Sequence, residues 1–132
     1  MDAATALADL TEISSQVEAA VVLDGSGAVV ASTLDDAGRS ARLARTALDL
    51  LGAADRRFES GGRALTQLEA ALREGSVFVA REEGRSIVAT TSAEPTSGLV
   101  FYDLKTCLRS LADDAAETAK PKRRPKKEPA DA

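Results

Sequence analysis

The side chains able to do chemistry are few, and their types argue against catalysis. The 132-residue chain has no histidine and a single cysteine, Cys107, so it lacks the usual general base, a zinc-type ligand set and any internal disulfide. It contains neither a Gly-x-Ser-x-Gly elbow nor a Gly-x-x-x-x-Gly-Lys phosphate loop. Cys107 falls on the apolar side of a helical pattern, where a small thiol packs rather than reacts. Gly25 and Gly27 are followed by a strand rather than a helix N-terminus, which makes them turn glycines and not an anion cradle. Two groups of cations remain. Arg39, Arg42, Arg45, Arg56 and Arg57 recur along one helical stretch. A guanidinium there can read a partner's acids or neutralise charge on a transferring phosphoryl group, while beside Asp49 and Asp55 it equally suits a solvated face with i,i+4 pairs. The second group, Lys120-Pro121-Lys122-Arg123-Arg124-Pro125-Lys126-Lys127, has no interleaved aromatics for base stacking. It reads as a solubilising tail, or as a weak contact for anionic lipid, nucleic acid or an acidic partner.

Positioning these residues takes one core. About 114 residues carry folding patterns, enough for one domain, which predicts a domain over 1–114 and a disordered basic tail over 115–132. Charge divides along the same line. Residues 115–132 hold six Lys and Arg against three acids (+3), whereas 1–114 hold eleven against eighteen (−7). An acidic body is a poor nucleic-acid surface, so any such contact falls to the tail. With no basic n-region after Met1-Asp2-Ala3 and no long apolar run, membrane insertion is not expected and the cytoplasm is the expected compartment.

Ala3, Ala6, Leu7, Leu10, Ile13 and Val17 recur at helical spacing. Two β-branched runs, 19–23 and 28–33, flank Asp24-Gly25-Ser26-Gly27 as a hairpin, and their unbroken apolar character predicts strands buried on both faces. A long helix follows from about Asp35 to Phe58, capped by Asp35 or Asp36. At about 100° per residue Leu50, Leu43, Ala54, Ala47, Phe58, Leu51, Ala44, Ala37, Leu48 and Ala41 fill an arc roughly 180° wide, interrupted by Asp55 alone. A stripe of about 100° suffices to pack a helix on a sheet, so the excess predicts a partner helix.

Thr66, Leu68, Ala70 and Leu72 alternate with polar residues, the pattern of a one-sided edge strand. Two hairpin-linked strands follow, 76–80 and 86–91. A last amphipathic helix, from about Ser97 to Asp114, carries Val100, Leu104, Cys107, Leu108 and Leu111. The fold class is thus α+β: a five-stranded antiparallel sheet with helices on both faces, in the order α-β-β-α-β-β-β-α.

The hairpin Val21-Val22-Leu23-Asp24-Gly25-Ser26-Gly27-Ala28-Val29-Val30-Ala31, the Ala- and Leu-rich second helix, the Gly61-Gly62 step and Ser97-Gly98-Leu99-Val100 together resemble the Roadblock/dynein-light-chain family, bacterial type, over roughly residues 5–112. Gln16-Val17-Glu18 stands where that family often has Pro-Gly. The resemblance implies a profilin-like architecture with the long helix on one sheet face and the terminal helices on the other. It also implies dimerisation through the second helix and third strand, and a role with Ras-like GTPases as activator or scaffold. On this reading the homodimer interface falls on Ala41, Leu43, Ala44, Ala47, Leu48, Leu50, Leu51, Ala54, Thr66 and Leu68, with Arg42, Arg45, Thr46 and Asp49 as partner contacts. The protein is then a non-catalytic adaptor without metal or cofactor. The alternatives are a profilin- or PAS-like ligand-sensing domain and a motor-complex light-chain scaffold. A ligand pocket normally has an aromatic lining, which Phe58, Phe78, Phe101 and Tyr102 supply sparsely.

Overall fold

The computed structural model describes residues 2–58, 67–82 and 84–119, except the side chains of Phe58 and of 112–119. The elements are α1 (Ala3–Ile13), β1 (Val17–Leu23), β2 (Val29–Ser32), α2 (Ala37–Phe58), β3 (Gln67–Ala71), β4 (Gly75–Glu82), β5 (Arg85–Ser92) and α3 (Ser97–Ala119). The strands form one five-stranded sheet in the order β2-β1-β5-β4-β3, antiparallel throughout. The α+β class and the element order are those expected.

Side chains on alternate faces of the sheet build two cores. On one face Ala20, Val22, Phe78, Ala80, Ile87 and Ala89 meet α1 through Leu7 and Leu10 and α3 through Val100, Leu104, Leu108 and Leu111. Phe78 and Phe101 pack edge to face there, with ring centroids 5.0 Å apart. On the other face Val21, Leu23, Val79 and Val88 lie against Ala44, Ala47 and Leu51 of α2.

Local signals set the boundaries. The Asp2 carboxylate accepts the Thr5 N–H at 2.8 Å and caps α1. Asp36, rather than Asp35, caps α2 by accepting the N–H groups of Gly38 (2.7 Å) and Arg39 (3.3 Å). In the β1–β2 turn Asp24 Oδ1 accepts from the Ser26 N–H, the Ser26 hydroxyl and the Ala28 N–H, while Gly27 takes a φ of 90°. Those bonds, the Ser26 hydroxyl first, hold the Asp24 carboxyl below its ordinary range. The Gln16 side chain accepts the Thr96 N–H at 2.6 Å, which ties the entry of β1 to the start of α3 where the family pattern has Pro-Gly.

Two expectations change. β1 is buried on both faces, but the equally apolar β2 is an edge strand whose Val29 and Val30 are exposed. An apolar run reports hydrophobicity and not position within a sheet. The last helix runs to Ala119, the last described residue, instead of ending at Asp114. Residues 120–132, most of the expected tail, lie outside the described residues.

Glycines make a stability prediction. A Cβ on Gly75 would strike the Thr91 carbonyl across the β4–β5 pair, whereas one on Gly98 meets nothing. Gly75→Ala should cost about 1–3 kcal/mol by overpacking. Gly98→Ala should be neutral or gain up to about 1 kcal/mol of helix propensity. Urea unfolding midpoints at unchanged m-value measure both.

Candidate functional site

Rows of side chains running across the sheet show where α2 stops covering it. The row Val21, Val88, Val79, Leu68 crosses β1, β5, β4 and β3; its first three members are fully buried and Leu68 is half-buried. The neighbouring row on the same face, Ala19, Thr90, Val77, Ala70, is half-buried from Thr90 outward. α2 lies chiefly over β1, β2 and β5, and reaches β4 at Val79 and through the Asp55–Arg81 pair. Toward β3 the cover thins: Val77, Leu68 and Ala70 on this face are only half-buried among the described residues.

Within α2 the central line Ser40, Ala44, Ala47 and Leu51 is buried. The Ser40 hydroxyl is satisfied by Ser32 Oγ at 2.7 Å. Leu43, Leu50 and Ala54 flank this line on one side and are half-buried. Ala41 and Leu48 flank it on the other and are exposed, with Leu48 lying over the β1–β2 turn near Gly27. At 100° per residue the two flanks are separated by about 140–160°, so one partner helix cannot cover both. Ala44, Ala47 and Leu51, expected at a dimer interface, are already consumed by the chain's own sheet. Leu43, Leu50, Ala54 and Leu68 remain available, and Thr66 lies outside the described residues. β3 pairs only with β4, leaving its other edge free among the described strands.

Asp55, the one acid in the apolar arc, turns toward the sheet and accepts both bonds of a forked pair from Arg81 Nη2, at 3.0 and 3.1 Å. The expected i,i+4 pairing of the helix arginines with Asp49 and Asp55 is not formed among the described residues. Arg42 and Thr46 instead line a groove of about 290 Å³ with Arg39, Leu43, Leu34, Ala19 and Thr90. The Thr46 hydroxyl is spent on the Arg42 carbonyl, at 3.0 Å. Arg45 and Asp49, grouped with Arg42 and Thr46 as partner contacts, are exposed on the outer side of the helix and do not line that groove. Sequence reasoning left Arg39, Leu34 and Thr90 out of the set. Arg39 had a usable signal, three residues before Arg42, but Leu34 and Thr90 arrive from separate elements. A second groove, about 370 Å³, lies between Leu48 and the tips of the β1–β2 and β4–β5 hairpins, and its lining of Gly, Asp, Ser, Leu and Arg holds no aromatic ring.

Among the described residues no group of three or more His, Cys, Asp and Glu stands ready for a metal, and no helix is long and apolar enough to cross a membrane. Cys107 is buried between α3 and α1.

The Roadblock/LC7 domain model matches residues 4–92, from α1 through β5. The chain belongs to the Roadblock/LC7 domain family. A Roadblock/LC7 domain from Streptomyces avermitilis superposes with a TM-score of 0.75 at 20% identity, covering 88% of this chain and 99% of that one. MglB of Myxococcus xanthus gives 0.68 at 13% identity over 89% and 87% of the two chains. The gliding protein MglB of Thermus thermophilus gives 0.70 at 17%, over 87% and 89%. These likenesses are to the Roadblock/LC7 fold. No curated protein matches the sequence.

The thiol supplies a pH prediction. Burial first, and the Asp9 charge second, push Cys107 up to about 11. The folded state thus holds the neutral thiol while the unfolded chain ionises near 8.5–9. Stability is fully present below that range and should fall as pH rises toward about 11. Cys107→Ala should flatten this decline in urea unfolding measured from pH 8 to 11.

Proposed function

We propose that this Roadblock/LC7 chain is a non-catalytic, cytoplasmic homodimeric adaptor that binds and regulates a small Ras-like GTPase. The observation that carries the reading is the half-covered α2 face. Leu43, Leu50 and Ala54 on the helix, with Leu68, Ala70 and Val77 on the sheet, form an apolar strip beside a β3 edge that pairs with no other described strand. A second copy laying its α2 antiparallel along the first and its β3 against the first β3 would bury the strip and pair the edge. Each fully buried leucine would contribute about 1.5–3 kcal/mol.

The adaptor role is supported by family membership and by the sparse chemistry of the chain. Dimerisation would set two copies of the arginine-bearing face of α2 side by side. Arg39, Arg42 and Arg45 make no ion pair among the described residues, so they are available to acids of a partner. Recognition is the role proposed for them. Transition-state stabilisation by one arginine would require it to reach a phosphate, and nothing in their spacing singles one out.

Leu50→Asp and Leu43→Asp should each yield monomers in sedimentation at micromolar concentration, where the unaltered chain is a dimer; an unaltered chain that is already monomeric contradicts the interface. Replacing Arg42 and Arg45 together by Glu should weaken binding to a Ras-like GTPase of the same organism more than tenfold, about 1.4 kcal/mol, with the dimer intact. Arg42 should account for the larger part because it lines the groove. Undiminished binding would move the contact to another face. Unchanged binding with slowed hydrolysis would replace recognition by direct action on the phosphate.

A further inference from the structure

On the side of the sheet opposite α2 a third groove lies between α1 and α3. Ala6, Asp9, Leu10 and Ile13 line it from one helix, and Asp103, Thr106, Cys107 and Ser110 from the other. Beside it lie large exposed apolar side chains: Ile13 is 70% exposed, Tyr102 65% and Leu99 57%. Leu99 and Tyr102 stand four residues before Asp103 and Thr106 and so share their side of α3. Asp9 and Asp103 make no ion pair among the described residues.

Charge selects what can cover such a face. The first thirty-eight residues contain seven acids and no lysine or arginine, and α1 belongs to that stretch. In α2 the balance reverses, with five arginines against two aspartates. A strip of exposed Ile, Leu and Tyr edged by unpaired aspartates suits a basic segment whose own apolar atoms are proline rings and the stems of Lys and Arg. One is attached to this chain: Lys120–Lys127 has six cations and two prolines and begins immediately after α3.

We propose that the groove between α1 and α3 receives the chain's own basic tract. The lengths agree. From Thr106 to Ala119 the helix rises about 20 Å, at 1.5 Å per residue. A proline-containing segment returning in extended form advances about 3.1 Å per residue, so roughly seven residues bring the chain back to that level. On these rises Lys126 would come level with Thr106 and Lys127 with Asp103 and Tyr102, with Asp9 facing them from α1. The contact adds nothing to either core. It is a salt-sensitive clasp that keeps the tract from other anionic surfaces until a more acidic one competes for it.

Tyr102 is the only tyrosine and the chain has no tryptophan, so intrinsic fluorescence reports on this face directly. Acrylamide quenching of Tyr102 in the full chain at low ionic strength should be about twofold weaker than in a chain ending at Ala119, and the difference should vanish near 1 M salt, where charges are screened beyond about 3 Å. In the full chain, Lys126→Glu with Lys127→Glu, or Asp9→Asn with Asp103→Asn, should also abolish the protection, with circular dichroism verifying that each variant is folded. Equal quenching with and without the tract at low salt would overturn the proposal, as would protection that survives 1 M salt. Protection lost on dilution would put the tract on a neighbouring molecule and overturn the intrachain contact.

Discussion

One α-helix with its side chains is about 10–12 Å wide, and five strands side by side span about 19 Å. A five-stranded sheet with apolar side chains on both faces therefore needs roughly two helices per face. The described residues supply two for one face, α1 and α3, and one for the other. α2 is placed chiefly over β2, β1 and β5 and reaches β4 at Val79, so the apolar rows of the same face are only half-buried from Val77 to Leu68 and Ala70 on β3. The width of the α2 stripe, the half-burial of Leu43 and Leu50, and a β3 edge unpaired among the described strands all follow from that shortfall.

The same shortfall explains why the two edges of the sheet differ. β2 is four residues long, and the register of its pair with β1 breaks between Val22 and Leu23, features that limit further pairing. β3 alternates cleanly, with Leu68 and Ala70 turned to the α2 face and Gln67, Glu69 and Ala71 exposed. Of the two, β3 is the edge continuous with uncovered apolar surface. Charge is sorted by the same two faces: arginines crowd the outer side of α2, and acids edge the layer formed by α1 and α3.

Much of this was legible in the sequence because it depends on local period. The Asp24-Gly25 hairpin, the buried face of α3 through Val100, Leu104 and Leu108, and the one-sided character of β3 all follow from spacing alone. The over-wide arc of α2 was legible too, but not its division. Which residues of that arc meet the chain's own sheet depends on how the helix is rolled, and sheet packing decides that. Ala44, Ala47 and Leu51 went inward while Leu48 was left over the β1–β2 turn. Asp55 looked like a flaw in the stripe because its partner, Arg81, is 26 residues away in another element. Leu34 and Thr90 carry no pattern that would assign them to the Arg42 groove. β2 was misjudged because its composition matches that of β1, and composition holds no information on which strand lies at the edge.

The central claim is that the incomplete roof of α2 is completed by a second copy joined along β3. Amide hydrogen exchange, read strand by strand, measures this directly, since an amide in a paired, covered strand opens only with larger unfolding events. The account predicts that β3, an edge within the single chain, exchanges as slowly as β4, while β2 exchanges fast. If β3 exchanged as fast as β2 at concentrations of tens of micromolar, the β3 edge would be free in solution, and the dimer described above would be wrong.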